Sequence, residues 1–384
     1  MSLSTHHLYV HVPFCRLVCA YCDFVTVGGR GAEIPRYADA LLDELGLRPP
    51  YGELATIYFG GGTPSLLPAA AVERVVEAAI VRWGSAPTEV TLEANPSSHE
   101  TPDWHSLRAA GVNRISLGIQ SLRDPELKTL ARGQTAAEGI AAFEAARAAG
   151  FTNISIDLIY DIPGQSLAEW RDGLERALAL EPDHLSLYAL QLALAPDEWA
   201  APPRPGALRW RNRMVSRQDD GLAAAQYQLA EELLEAAEYS HYELSSWARP
   251  GLESRHNLAY WERRPYTGIG AGAHSYDRAT RSWNERDLDA YLARTEAGER
   301  AQAGGEELDP ATSAFEAVAL GLRHVAGFSR AAFASEFGDD PLAHYANAVE
   351  EARAADLLEV ADDMIRLTRR GRLFANDALI AFAP

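Results

Sequence analysis

Three cysteines, Cys15, Cys19 and Cys22, fall within eight positions of one another in the stretch HVPFCRLVCAYCDF, and the sequence has no others. The thiolate is the form of cysteine that ligates metals. An odd, clustered set reads as metal binding or catalysis and not as a disulfide framework. Structural zinc takes four protein ligands, so Cx3Cx2C needs a fourth donor. His11, just upstream, or a distant histidine could complete a Cys3His zinc site. A [4Fe-4S] cluster held by three cysteines instead leaves one iron open to a ligand that is not protein, and an open iron can act on what it binds. Spacing alone leaves both readings standing.

A second stretch, GGGTP (60–64), follows a strand-like run. Glycines let backbone N–H and C=O groups approach a ligand closely, although a tight turn uses them too. The pattern is not GxGxxG, so it gives no nicotinamide site. Further along, polar residues recur where strand-like runs end: Glu93 and Asn95, Gln120, Asp157, then Tyr188 and Gln191.

The elements that must position these groups alternate. Apolar β runs at 8–12, 55–59, 90–95, 114–120, 153–160 and 184–190 are separated by helical patterns at 36–47, 69–83, 103–111, 125–132, 136–150 and 166–180. Repeated βα units predict a parallel sheet. Six of them suit an α/β partial (β/α)6 TIM-like barrel, whose chemistry sits at the C-terminal strand ends. Those ends carry the cysteine loop, GGGTP and the polar residues. A doubly wound sheet is the structural alternative. The pattern loosens after Pro196: 195–210 is Pro-rich and reads as an excursion, and 221–239 is a strong amphipathic helix. Short helices and a β pair at 357–368 predict a small C-terminal helical, winged-helix-like domain. The domain reading is therefore 1–195 for the barrel, 196–300 for a segment packing on it, and 301–384 for the C-terminal domain.

Net charge is −19. An acidic surface repels phosphate backbones, so no nucleic-acid partner is expected. The winged-helix-like region has no dense basic stripe and reads as having a structural or interaction role. No apolar run reaches the length of a membrane span and no secretory leader is evident, which predicts a cytoplasmic protein.

Cx3Cx2C with Tyr21 before the last cysteine, then GGGTP, on a partial barrel, resembles the radical S-adenosylmethionine (SAM) superfamily. The stretches HVPFC, YFGGGTPSLL, VTLEANP, RISLGIQSL, DLIYDIPGQ and YTGIGAGAHS resemble, in order, the oxygen-independent coproporphyrinogen III oxidase family. The likeness runs from about residue 8 to the end. It implies that Cys15, Cys19 and Cys22 bind a [4Fe-4S] cluster whose open iron is chelated by SAM, and that an electron from the cluster cleaves SAM to a 5'-deoxyadenosyl radical. It implies that Gly61, Gly62 and Thr63 contact the methionine part of SAM, and that Glu93, Gln120, Arg132 and Asp157 line the cofactor, with Asp157 on a ribose hydroxyl. Tyr9, Tyr21 and Phe24 join this cofactor set. The oxidases of the family carry a fourth cysteine two residues after the third, where this sequence has Phe24. With RHNLAYW (255–261), that places the sequence in the family's haem-chaperone branch. The resemblance then implies haem as cargo, His256 as its axial ligand, apo-haem proteins as recipients and an electron donor such as flavodoxin or ferredoxin. It leaves room for peripheral membrane contact and for a monomer or a homodimer. The alternative is a coproporphyrinogen III dehydrogenase, which removes carbon dioxide from two propionates. Departures from the pattern are LAR with Gln134 after it, Asp161 where glycine is usual, Ala195 in an acidic place, and SSWA (245–248).

Overall fold

The computed structural model describes residues 5–97, 102–192 and 205–383. Strands β1 (Thr5–Val12), β2 (Glu53–Gly61), β3 (Glu89–Ala94), β4 (Arg114–Gln120), β5 (Ile154–Tyr160) and β6 (His184–Ala189) lie side by side in chain order, every neighbouring pair parallel. A doubly wound sheet reverses its strand order part-way. This one does not, so the barrel reading holds.

Helices α1 (Ile34–Leu47), α2 (Ala69–Trp83), α3 (Trp104–Ala109), α4 (Asp124–Thr129), α5 (Ala136–Ala148) and α6 (Leu167–Leu178) form the crossovers. Their ends are written locally. Thr135 with Glu138, and Ser166 with Glu169, make reciprocal capping boxes at the starts of α5 and α6. Gly84 ends α2 in the left-handed conformation.

The two-residue period of the strands sorts their side chains. Leu8, Val10, Ile57, Phe59, Leu92, Ile115, Leu117 and Ile156 join the core that also holds Val72 and Val75 of α2 and Leu41 of α1. The alternate set is polar or aromatic: His7, Tyr9, His11, Thr56, Tyr58, Glu93, Arg114, Ser116, Asp157 and His184. A closed barrel fills its inner face with bulky aliphatic side chains. An inner face of this chemistry is built to surround something polar.

Six strands are not the whole sheet. Strands β7 (Ser240–Glu243) and β8 (Ser246–Ala248) extend it antiparallel beyond β6. Strand β9 (Tyr266–Ile269) pairs parallel with the free edge of β1, and β10 (His274–Tyr276), β11 (Thr280–Asn284) and β12 (Gln302–Glu307) continue antiparallel from it. The six-strand expectation is corrected to a twelve-stranded open sheet among the described residues. A four-residue strand between Pro265 and Gly270, with a glycine inside it, leaves no periodic signal; β1 supplies its partner. Buried Glu44 ties this added edge to α1. It bonds Arg48 (2.6 Å), Asn284 (2.8 Å), the Tyr291 hydroxyl (2.8 Å) and the Gly270 amide (2.8 Å).

The Pro-rich excursion is corrected in part. Residues 193–204 lie outside the described set, Ala195 among them, but Pro205–Val215 is a helix, α7. Trp210 of α7 is buried with Leu130, Ile159, Ile162, Leu190 and Leu192, and with Tyr21 of the cysteine loop. Helices α8 (Asp220–Ala236), α9 (Arg255–Trp261) and α10 (Leu288–Glu296) follow. A separate core containing Ala314, Val318, Phe333, Ile365 and Leu367 underlies the C-terminal domain. There α11 (Pro310–Gly321) and α12 (Arg330–Phe337) pack with a sheet of β13 (Phe328–Ser329), β14 (Leu358–Ala361) and β15 (Met364–Leu367).

Asp161, just past β5, has φ of 58°. Aspartate tolerates this region better than most residues. Its carboxylate accepts a bond from Gln218 Nε2 at 2.8 Å, and burial with nearby Asp220 pushes its pKa up to about 6. A raised carboxyl pKa costs stability at a pH where the group must ionise. Asp161→Asn is therefore expected to stabilise the protein by about 1 kcal/mol at pH 8, after discounting for solvent screening, and to be neutral at pH 4. Thermal melts of both forms at the two pH values check this.

Candidate cluster and cofactor site

Strand β1 ends by turning out of the sheet at Pro13, and the cysteine loop begins there. Phe14–Cys15 forms a short parallel bridge with Val27–Gly28, and Val27 N donates to Pro13 O at 2.8 Å, which closes the loop at its base. GGGTP packs beneath it. Gly62 N donates to Val12 O at 2.8 Å, and a Cβ on Gly62 would stand 2.7 Å from the Pro13 and Phe14 carbonyl oxygens. Gly61 has φ of 113°, and a Cβ there would meet the His11 ring at 2.5 Å. These glycines are required first by the chain's own loop, which sits too close for side chains; ligand approach is a second use.

Two contacts reach the sulfurs. Thr63 Oγ1 lies 3.5 Å from Cys15 Sγ, and Arg132 Nη1 lies 3.3 Å from Cys19 Sγ. Gln134 orients Arg132: its Oε1 accepts from Arg132 Nη2 at 2.8 Å while its amide donates to Ile119 O at 2.9 Å. A neutral amide thus does the orienting work in the place the family pattern gives to histidine. Arg211, buried in α7, donates to Tyr21 O at 2.6 Å and pins the loop from its other side. Sequence reasoning missed Arg211, because it lies in a stretch read as an excursion.

The loop covers a cavity of about 760 Å³ at the C-terminal strand ends. The three cysteines, Gly61, Gly62, Thr63, Glu93, Gln120, Arg132 and Asp157 all line it, as do Tyr21 and Phe24. Tyr9 does not; its hydroxyl bonds His11 Nδ1 at 3.1 Å one layer beneath. Glu93 accepts from the Tyr58 hydroxyl (2.8 Å) and the Gly61 amide (3.1 Å), and burial pushes it up to about 7. Ser116 Oγ lies 3.0 Å from both oxygens of Asp157, whose pKa burial also raises. Exposed apolar side chains collect here: Leu17 (62% exposed), Phe24 (61%), Tyr188 (45%) and Phe374 (43%) all face the cavity. Phe374, with Arg323 and Arg372, comes from the C-terminal domain, which no strand-end rule would have found.

The zinc reading fares poorly on donors. His11 Nε2 bonds Val25 O at 2.8 Å and its other nitrogen faces Tyr9, so neither points at the thiols.

Comparison with known proteins agrees with this geometry. Residues 9–177 match the Radical SAM superfamily model, and residues 308–374 match the HemN C-terminal domain. Over 382 residues the chain is 36% identical to the Mycobacterium tuberculosis protein named Heme chaperone HemW, covering 96% of this chain and 92% of that one. The chain belongs to the radical SAM HemN/HemW family. The Bacillus subtilis protein of the same name is 30% identical over 97% of this chain and 98% of its own length. The solved Escherichia coli coproporphyrinogen III oxidase (HemN), a radical SAM enzyme, superposes with a TM-score of 0.82 at 22% identity, over all of this chain and 91% of that one, which establishes the common fold.

A radical SAM protein holds a [4Fe-4S] cluster and SAM. The residues present fit both. Three thiols stand on one loop at the cavity wall, and the sequence has no fourth cysteine. Carboxylates at Glu93 and Asp157 can accept from an ammonium or from ribose hydroxyls.

The HNxxYW motif lies elsewhere. Helix α9 plugs the inner face of the barrel near the N-terminal strand ends. Glu89, the first residue of β3, accepts from the Arg255 and His256 amides at 3.0 and 3.1 Å. His256 is fully buried, with Nδ1 2.6 Å from Thr56 Oγ1 and Nε2 3.0 Å from the Tyr260 hydroxyl. In this arrangement the ring offers no open nitrogen to an iron. The motif approaches the cavity wall only indirectly: the Trp261 ring lies 4.1 Å from the guanidinium carbon of Arg323, which lines the cavity.

Proposed function

We propose that this protein is a haem chaperone of the HemW type. It would hold haem in the cavity beside SAM and deliver it to apo-haem proteins in the cytoplasm. The cluster, when bound, supplies one electron to SAM. The observation that carries the reading is Phe24. A fourth cysteine marks the oxidase pattern, and here an exposed phenylalanine projects into the cavity at that position. Full-length likeness to proteins named Heme chaperone HemW supports it. The cavity chemistry is compatible. Apolar surface from Leu17, Phe24, Tyr188 and Phe374 suits a flat macrocycle, and Arg323 and Arg372, paired with Glu243 and Glu231, add positive charge at the wall.

The protein's own residues have three tasks in this scheme. Arg132, Arg211 and Thr63 hold the cysteine loop. Glu93 and Asp157 orient SAM, and the C-terminal domain roofs the cavity. Titration of haem into cluster-loaded protein is expected to saturate at one per chain, and the loaded protein is expected to pass haem to an apo-haem protein. SAM-dependent release of carbon dioxide from coproporphyrinogen III, with no saturable haem binding, would overturn the reading in favour of the dehydrogenase.

A further inference from the structure

Helix α7 carries an unusual distribution of charge for this chain. Between Pro205 and Gln218 the sequence has four arginines and no Asp or Glu, although the chain as a whole carries 54 acidic and 35 basic residues. The helix sorts them by face. Ala207, Trp210 and Arg211 are buried, and Arg211 and Trp210 are the contacts that reach the cysteine loop. Arg209, Arg213 and Arg217 recur every four positions and are all exposed, so they form one stripe along α7 and the turn after it. No ion pair involves any of the three among the described residues, whereas Arg30, Arg36, Arg74, Arg123 and Arg330 on other surfaces are all paired. Leu208 and Val215 lie exposed on the same helix, each at 38%. Acidic residues near the helix are Asp23 in the cysteine loop, Asp161, whose carboxylate accepts from Gln218, and Asp219 and Asp220 after the helix; Asp219 is committed to capping α8.

An acidic protein repels acidic partners at long range, so one that must meet them needs a local patch of the other sign. The position of this patch says which partner. Its buried face holds Tyr21, between two cysteine ligands of the cluster, so the stripe lies on the outer side of the loop that encloses the redox centre. We propose that the Arg209–Arg213–Arg217 stripe docks a small, acidic, one-electron carrier protein through charge complementarity in a transient interface. In the step it serves, one electron leaves the reduced flavin of a flavodoxin and enters the oxidised [4Fe-4S] cluster, and no bond forms or breaks. The inference rests on the cluster assignment for its purpose but not for its binding test.

The experiment is the triple variant Arg209→Glu, Arg213→Glu, Arg217→Glu, with the triple glutamine variant as a milder companion. Binding of oxidised flavodoxin to the unreconstituted protein reads the surface without the cluster. Charge reversal is expected to weaken it at least tenfold and to flatten its dependence on salt. In cluster-loaded protein, reduction by flavodoxin is expected to slow at least tenfold, while dithionite reduces wild type and variants equally. Equal flavodoxin binding by wild type and both variants would overturn the proposal. So would binding of wild type, but not variants, to vesicles containing anionic lipid together with unchanged flavodoxin kinetics, which would assign the stripe to a membrane surface. A wild type that dithionite cannot reduce would instead sink the cluster assignment and leave the binding arm intact.

Discussion

Replacing Cys19 with alanine removes the iron–sulfur cluster and leaves the protein folded. The three thiols are the only cysteines in the sequence, and two cannot hold a four-iron cluster against loss to solvent or chelator. Iron retained after anaerobic reconstitution is expected to fall to background, and with it the broad charge-transfer absorbance and any SAM cleavage. The fold is spared because the cysteine side chains lie outside the main apolar core, although Phe14 beside them belongs to it. Cys15, Cys19 and Cys22 are all half-exposed, and none contributes to that core. Unreconstituted wild type and variant should therefore agree in stability within about 0.5 kcal/mol. Cys15→Ala and Cys22→Ala should give the same result. Full iron retention by any one of the three variants would show that another donor serves the cluster, and the loop would need to be read again.

Much of this site was legible because its residues are local in sequence. Three cysteines within eight positions and GGGTP at a strand end survive any plausible folding of the chain. The strand-end residues Glu93, Gln120 and Asp157 were legible at one remove, through the rule that parallel βα units present their C-terminal ends together. What escaped depends on pairing over long separations. Strand β9 exists because β1 leaves an edge open for it, more than 250 residues earlier in the chain. Arg211 reaches Tyr21 across a separation of 190 residues, from a stretch whose prolines argued for a loop. Phe374 and Arg372 roof the cavity from the last helices, and no periodicity records that. The opposite error is Tyr9, whose place on β1 is right but whose hydroxyl faces His11 beneath the cavity and not the cavity itself.

His256→Ala is expected to cost stability and to spare haem binding. The ring is part of a buried chain in which Thr56 Oγ1 lies 2.8 Å from His7 Nδ1 and 2.6 Å from His256 Nδ1, with Tyr260 on the far nitrogen. Truncation leaves a cavity against Tyr58 and Tyr260 and strands the buried Tyr260 hydroxyl, while Thr56 keeps His7, a loss of about 3 kcal/mol. The loss has a pH signature. Burial, ahead of the charges of His7 and Arg114, holds the His256 pKa well below 6.5, so the native ring is neutral. An unfolded histidine takes a proton below about pH 6.5 and the native ring does not, so its contribution is full above that pH and is lost on acidification. For this one group the loss runs at about 1.4 kcal/mol per pH unit. The gap between wild type and His256→Ala should thus be widest at pH 8 and narrow steadily below pH 6.5. Haem titrations at a temperature where both are folded should agree within about twofold, since a twofold change is only about 0.4 kcal/mol. A tenfold loss of affinity with a changed haem absorbance band would mean that the ring leaves Tyr260 to ligate iron, and that the cargo opens the floor of the barrel on binding.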